Sequence, residues 1–182
     1  MKMIYIFLAE GFEEVEAIAP LDVLRRCGLE VKTVGVTGST VTGAHGIPVV
    51  CDCTLEQVDA EHAQAVLLPG GMPGTLNLKK NNAVLAAVRT ANACGRIVAA
   101  ICAAPSILGE MGLLRGKTAV CFPGFEEALD GARLGTEPVC RDGNIITAKG
   151  AGAALEFGER IAAEFVGAEK AAQVLASMQY IR

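Results

Sequence analysis

Ile97-Val98-Ala99-Ala100-Ile101-Cys102-Ala103-Ala104-Pro105 runs from five consecutive apolar residues into a thiol, two alanines and a proline. The apolar run has the length of a buried strand, and Pro105 suits the first turn of a helix, where its missing N–H loses no partner. The chain must therefore turn sharply at Cys102, and the small residues on both sides allow the turn. A sulfur at such a corner faces unpaired helix N–H groups and the positive end of the helix dipole, which both favour the thiolate. The pattern resembles a nucleophile elbow in which Ala100 and Ala104 stand where Gly-x-Ser-x-Gly enzymes carry glycine. The alternative is that Cys102 is one more small core residue among seven cysteines.

Working outward, residues 3–9, 29–36 and 65–68 are further apolar runs that read as strands, and short strands around Thr40 and Val49 form a small hairpin. Helical stretches are expected up to Gly28, over about 75–94, over 105–111 and twice near the C-terminal end. A short strand at 118–121 and a pair at 138–140 and 144–148, turning at Asp142-Gly143, complete the pattern. Pro20 falls inside the first helix and removes the donor that would reach the Glu16 carbonyl, which predicts a kink. Strands alternating with helices predict an α/β fold with a doubly wound, mostly parallel sheet and ligands at the carboxyl ends of its strands. No repeat or linker divides the 182 residues, so one domain spanning 1–182 is expected.

Composition narrows the function. The chain is 52% hydrophobic and 4% aromatic with no Trp, so Val, Ile, Leu and Ala must fill the core. A net charge of −4 with scattered Lys and Arg offers no stripe to neutralise phosphates, which argues against nucleic-acid binding. No apolar run approaches the roughly 20 residues of a membrane helix. The opening residues 1–9 are too few for a secretory signal and lead straight into Glu10, Glu13 and Glu14, so a cytoplasmic location is expected. An odd number of cysteines then predicts reduced thiols, and the single residue between Cys51 and Cys53 is not a zinc spacing.

Three other segments carry possible chemistry. The acidic turn with Glu10, Glu13, Glu14 and Glu16 follows the first strand and so shares a sheet edge with Cys102. Most of these acids suit a helix N-terminus. Glu16, between Val15 and Ala17-Ile18, is the one whose burial would raise its pKa and let it donate to a thiolate, although a solvated face is the simpler reading. Leu68-Pro69-Gly70-Gly71 can present backbone N–H groups to a developing oxyanion, or can be a plain turn. His45 and His62 fall in loops and read as surface or interface residues. Asp22, Arg25 and Arg26 suit salt bridges or a contact with a second copy.

Together, Glu10-Gly11-Phe12-Glu13-Glu14-Val15-Glu16, Asp22-Val23-Leu24-Arg25-Arg26, Leu68-Pro69-Gly70-Gly71, Ala99-Ala100-Ile101-Cys102-Ala103-Ala104-Pro105 and Thr147-Ala148-Lys149-Gly150 resemble the ThiJ/PfpI superfamily in its DJ-1 branch, in order along essentially the whole chain. The resemblance implies a flavodoxin-like three-layer sandwich and a homodimer. It implies that Cys102 is reactive and oxidises readily to a sulfinate, and that a protonated Glu16 is its partner. The backbone at Gly70, Gly71 and Ala103 is then expected to line the site, with Arg26 and Lys149 nearby. The activities implied are glyoxalase-type conversion of methylglyoxal to lactate, deglycation of amines and thiols, and oxidative-stress protection as a sensor or chaperone. None of these requires an organic cofactor or a metal. Two departures matter. Peptidase members place His directly after the cysteine, where this chain has Ala103, so a cysteine peptidase or amidotransferase ranks last. Animal members have a His near the site, where this chain has Cys121-Phe122-Pro123. Phe122 cannot move a proton, which leaves proton transfer to Glu16.

Overall fold

The computed structural model describes residues 3–181; Met1 and Lys2 of the first apolar stretch lie outside the described residues. In chain order the strands are β1 (Met3–Leu8), β2 (Glu30–Gly35), β3 (Thr40–Thr42), β4 (Pro48–Val50), β5 (Cys53–Thr54), β6 (Ala63–Leu68), β7 (Ile97–Ile101), β8 (Thr118–Ala119), β9 (Arg133–Leu134), β10 (Val139–Asp142) and β11 (Ile145–Ala148). The helices are α1 (Glu14–Arg26), α2 (Gly74–Lys80), α3 (Asn82–Ala93), α4 (Pro105–Glu110), α5 (Ala154–Val166) and α6 (Ala168–Ser177).

Seven strands form one sheet in the order β10-β11-β7-β6-β1-β2-β5, parallel throughout except for the β10–β11 hairpin. Alternation along the strands divides the core in two. Ile4, Ile6, Leu8, Leu67, Ala99 and Ile101 meet Leu21 and Leu24 of α1 and Phe157 and Ile161 of α5 on one face. Tyr5, Phe7, Val66, Leu68, Val98 and Ala100 meet Leu78, Val84, Val88 and Ile107 of α2 to α4 on the other. Both faces are covered, which is why these strands read as continuous apolar runs. The five parallel strands β2-β1-β6-β7-β11 keep the 2-1-3-4-5 order of a flavodoxin-like three-layer sandwich. Among the described residues, no helix is long and apolar enough to cross a membrane.

One local expectation needs correction. The helix read over 75–94 is two helices, because Asn81 is extended and its side chain accepts from the N–H groups of Ala83 (3.0 Å) and Val84 (3.1 Å), capping α3. Pro20 stands inside α1 and packs where α5 supplies Gly158. A Cβ there would come within 2.9 Å of the Pro20 Cα, so glycine permits the close helix approach. The edge strands β5 and β9 have two residues each, too few to show an alternating pattern.

The order of strands places the site. From β1 the chain goes outward to β2, and from β6 it goes the other way to β7, so their carboxyl ends open a crevice. Residues 9–16 follow β1, Gly70 and Gly71 follow β6, and Cys102 follows β7.

Candidate active site

Cys102 has a φ of 65°, the left-handed region that side chains other than glycine seldom occupy. Such a conformation costs on the order of 1–3 kcal/mol and persists only where the surroundings enforce it. Here the Cys102 N–H donates to the Ala148 carbonyl at 2.9 Å, and the Cys102 carbonyl accepts the Phe122 N–H at 2.8 Å. Ser106 Oγ donates to the Ala103 carbonyl at 2.6 Å and pins the far side of the elbow. The corner read in the sequence is therefore fixed by β11, by the segment after β8 and by the first turn of α4.

Glu16, only 2% exposed, points from the first turn of α1 at the same corner. Its Oε2 accepts the Gly70 N–H at 2.9 Å. The carboxyl also bonds the Cys102 side chain and the Ala151 N–H. Burial is the main cause that raises its pKa to about 7, with the Glu13 charge adding to it, against the hydrogen bonds from Cys102, Gly70 and Ala151.

Around the sulfur the balance differs from the lowered thiol that the elbow pattern suggested. Burial, then the Glu16 charge and its hydrogen bond, push the Cys102 thiol up to about 12, while the Ala103 and Gly71 N–H groups pull it down. Both upward contributions of Glu16 belong to its ionised form. A protonated Glu16 repels nothing and donates its hydrogen to the sulfur. The two groups are therefore a coupled pair that titrates as a unit, and the Ala103 and Gly71 N–H groups lie against its sulfur.

Gly70 allows this contact. A Cβ on it would fall 2.6 Å from Glu16 Oε2 and 2.7 Å from Cys102 Cβ. Gly70→Ala is expected to cost about 1–3 kcal/mol in urea unfolding, as overpacked sites do, and to separate acid from thiol. Its Cys102 should then react with iodoacetamide at neutral pH at least about tenfold more slowly than wild type, since the pair no longer shares its proton. Equal labelling rates would contradict that role.

At the rim, Phe122 is 47% exposed. Thr147 Oγ1 accepts the Val120 N–H at 3.0 Å and ties this segment to β11. Lys149 follows β11 toward the site, but its ammonium donates to the Thr136 carbonyl at 2.6 Å. Arg26, expected to flank the site, stands at the far end of α1 from Glu16. It sits ten residues beyond Glu16, about 15 Å along α1, and pairs with Asp22 at 2.8 Å. Arg25 bonds Asp52 at 2.7 Å, and that carboxylate also accepts from Thr33, tying α1 to β2.

The model of the DJ-1/PfpI family matches residues 2–164. The chain belongs to the DJ-1/PfpI family. It is 35% identical to the Drosophila melanogaster protein dj-1beta over 176 residues, covering 95% of this chain and 94% of that one. It is 33% identical to a Pyrococcus horikoshii protein named as a deglycase, over 82% of this chain and 90% of that one. A structure of oxidised Toxoplasma gondii DJ-1 superposes with a TM-score of 0.95 at 32% identity, over the whole of both chains.

This DJ-1/PfpI chain also uses residues that its sequence did not single out. Ala151 donates a backbone N–H to Glu16, and no side-chain chemistry marks such a role. Glu14, read as part of a solvated helix start, is 7% exposed. Its Oε1 accepts the His45 N–H at 2.8 Å, and its Oε2 meets His45 Nδ1 at 3.0 Å, which organises the turn between β3 and β4. Glu13 Oε1 lies 3.6 Å from the same nitrogen. The hydrogen bond to Glu14, followed by the Glu13 and Glu14 charges, raises the His45 pKa, and the same bond helps lower Glu14 against its burial. These three side chains can also gather as metal ligands, their donor atoms lying within 4.8 Å of one another, but Glu14 already spends both oxygens on the turn. His62 pairs with Asp59 at 2.9 Å.

Proposed function

We propose that this protein converts α-oxoaldehydes such as methylglyoxal, or their adducts with amines and thiols, through the Cys102 thiolate with Glu16 moving the protons. The observation that carries this reading is the buried Glu16 carboxyl bonded to the sulfur of a strained elbow. The relative named as a deglycase supports the same class of chemistry.

In the first step the sulfur adds to the aldehyde carbon, and the carbonyl oxygen takes the Glu16 proton, giving a hemithioacetal. The Glu16 carboxylate then removes the hydrogen from that carbon and hands it to the neighbouring carbonyl oxygen, giving an enediol; the hydroxyl on the sulfur-bearing carbon gives up its proton to Glu16, which returns it to the neighbouring carbon and leaves a 2-hydroxy thioester. Water cleaves the C–S bond, releases the 2-hydroxy acid and restores the thiol. Every oxygen gained comes from water, and the substrate is its own oxidant and reductant. The Gly71 and Ala103 N–H groups stabilise the sulfur before attack. The test is the formation of lactate from methylglyoxal by purified protein; absence of lactate at micromolar enzyme would sink the reading.

A second reading uses the same atoms. Glu16 and the N–H groups of Gly71 and Ala103 converge on one sulfur, which suits a sulfinate formed by peroxide, and the similar Toxoplasma gondii structure is of an oxidised protein. The protein would then be an oxidative-stress sensor or chaperone, recognised by dose-dependent oxidation of Cys102 without product.

The working form in this proposal is one domain over the whole chain, cytoplasmic, and paired with a second copy. Val15, Ile18 and Ile47 expose apolar side chains along α1 and beside Glu14, lining a groove with Leu155 and Met178. Ile18→Glu is expected to convert a dimer to a monomer in sedimentation velocity, and a wild-type monomer would refute the pairing.

A further inference from the structure

We propose that the mouth of the Cys102 site selects uncharged α-oxoaldehydes with an apolar, preferably aromatic, substituent and turns away those bearing a carboxylate or phosphate. The inference rests on the carbonyl chemistry proposed above.

Phe122 carries the attractive half. Its backbone is held by the bond from its N–H to the Cys102 carbonyl, yet its ring stays 47% exposed. Beyond the ring lies Gly150. A Cβ on Gly150 would sit 3.2 Å from Phe122 Cδ2 and 4.0 Å from Glu16 Oε1, so ring and carboxyl border the same small space, left open by a glycine. A substituent on a carbonyl bonded to Cys102 thus has an aromatic face within its surroundings.

The repulsive half comes from charge. Glu16 and Glu13 stand close enough for one to raise the other's proton affinity. The cations on neighbouring segments already have partners: His45 has Glu14 and Glu13, Lys149 has the Thr136 carbonyl, and Arg26 has Asp22. An anionic substituent would shed water beside Glu13 and the negative charge shared by Glu16 and Cys102, with none of these cations free to meet it.

The test compares kcat/KM for methylglyoxal, phenylglyoxal and dioxovalerate, an α-oxoaldehyde ending in a carboxylate, in wild type and Phe122→Ala. Protection of Cys102 from iodoacetamide by each aldehyde is measured alongside. Dioxovalerate should fall at least about tenfold below methylglyoxal, and Phe122→Ala should lower the phenylglyoxal-to-methylglyoxal ratio of kcat/KM about tenfold. Comparable values for all three aldehydes would overturn the selectivity and leave the carbonyl chemistry standing. Protection in the expected order without turnover would uphold the selectivity and remove the catalytic reading. No protection and no turnover would overturn both.

Discussion

Replacing Cys102 with Ser is expected to lower lactate formation from methylglyoxal by at least about a thousandfold. A hydroxyl at this corner would keep the backbone bonds to Ala148 and Phe122, so the elbow itself should survive. What disappears is an anion. Serine becomes a nucleophile only when a strong base takes its proton, and a carboxyl with a pKa of about 7 cannot do so. The imidazoles give no help, since the ring of His45 is bonded to Glu14 and that of His62 to Asp59. Turnover is measured as lactate and fold by circular dichroism. A folded variant with wild-type turnover would remove Cys102 from the chemistry.

Glu16→Gln is expected to reduce kcat by about 10²–10⁴-fold with little change in KM, the range lost with a general acid–base group. The amide can still accept from Gly70 and donate to the sulfur, so addition remains possible while proton movement does not. The same variant has an opposite effect on stability. The folded Glu16 pKa is raised from 4.5 to about 7, so the protonated form that folding favours is fully present below the lower value. Its contribution is lost as pH rises through the higher one. That interval corresponds to about 3 kcal/mol, which wild type should lose between about pH 4 and pH 8 and Glu16→Gln should not. Urea unfolding at the two ends of the range reads the difference; parallel pH profiles for the two proteins would show that Glu16 does not titrate there.

The sheet was legible because its strands are buried on both faces, so apolar runs such as Ile97-Val98-Ala99-Ala100-Ile101 could be nothing but core. Cys102 was legible for a related reason: a thiol between a buried strand and Pro105 has to sit on a corner. Glu16 was harder. Its neighbours Glu10, Glu13 and Glu14 look alike in sequence, and only the fold shows that α1 turns Glu16 toward β7 and Glu14 toward the β3–β4 turn. The break at Asn81 is a competition between helix continuation and a side chain that caps, decided by two short hydrogen bonds. Ala151 and the bond from the Phe122 N–H to the Cys102 carbonyl were hidden because backbone groups bring them to the site, and spacing carries no trace of a backbone N–H.

The central claim is that the charge shared by Glu16 and Cys102 rests on the sulfur when substrate arrives. Iodoacetamide labelling of Cys102 across about pH 4 to 10, followed by peptide mass, tests it in wild type and Glu16→Gln with the exposed Cys94 as internal comparison. With the charge on sulfur, wild-type labelling rises with a midpoint near the pair's first ionisation at about 7, outpaces Cys94, and moves upward in Glu16→Gln, whose amide is a weaker donor. With the charge on the carboxylate, the wild-type midpoint lies far up toward about 12 and falls when Glu16 is replaced, and that result would contradict the account.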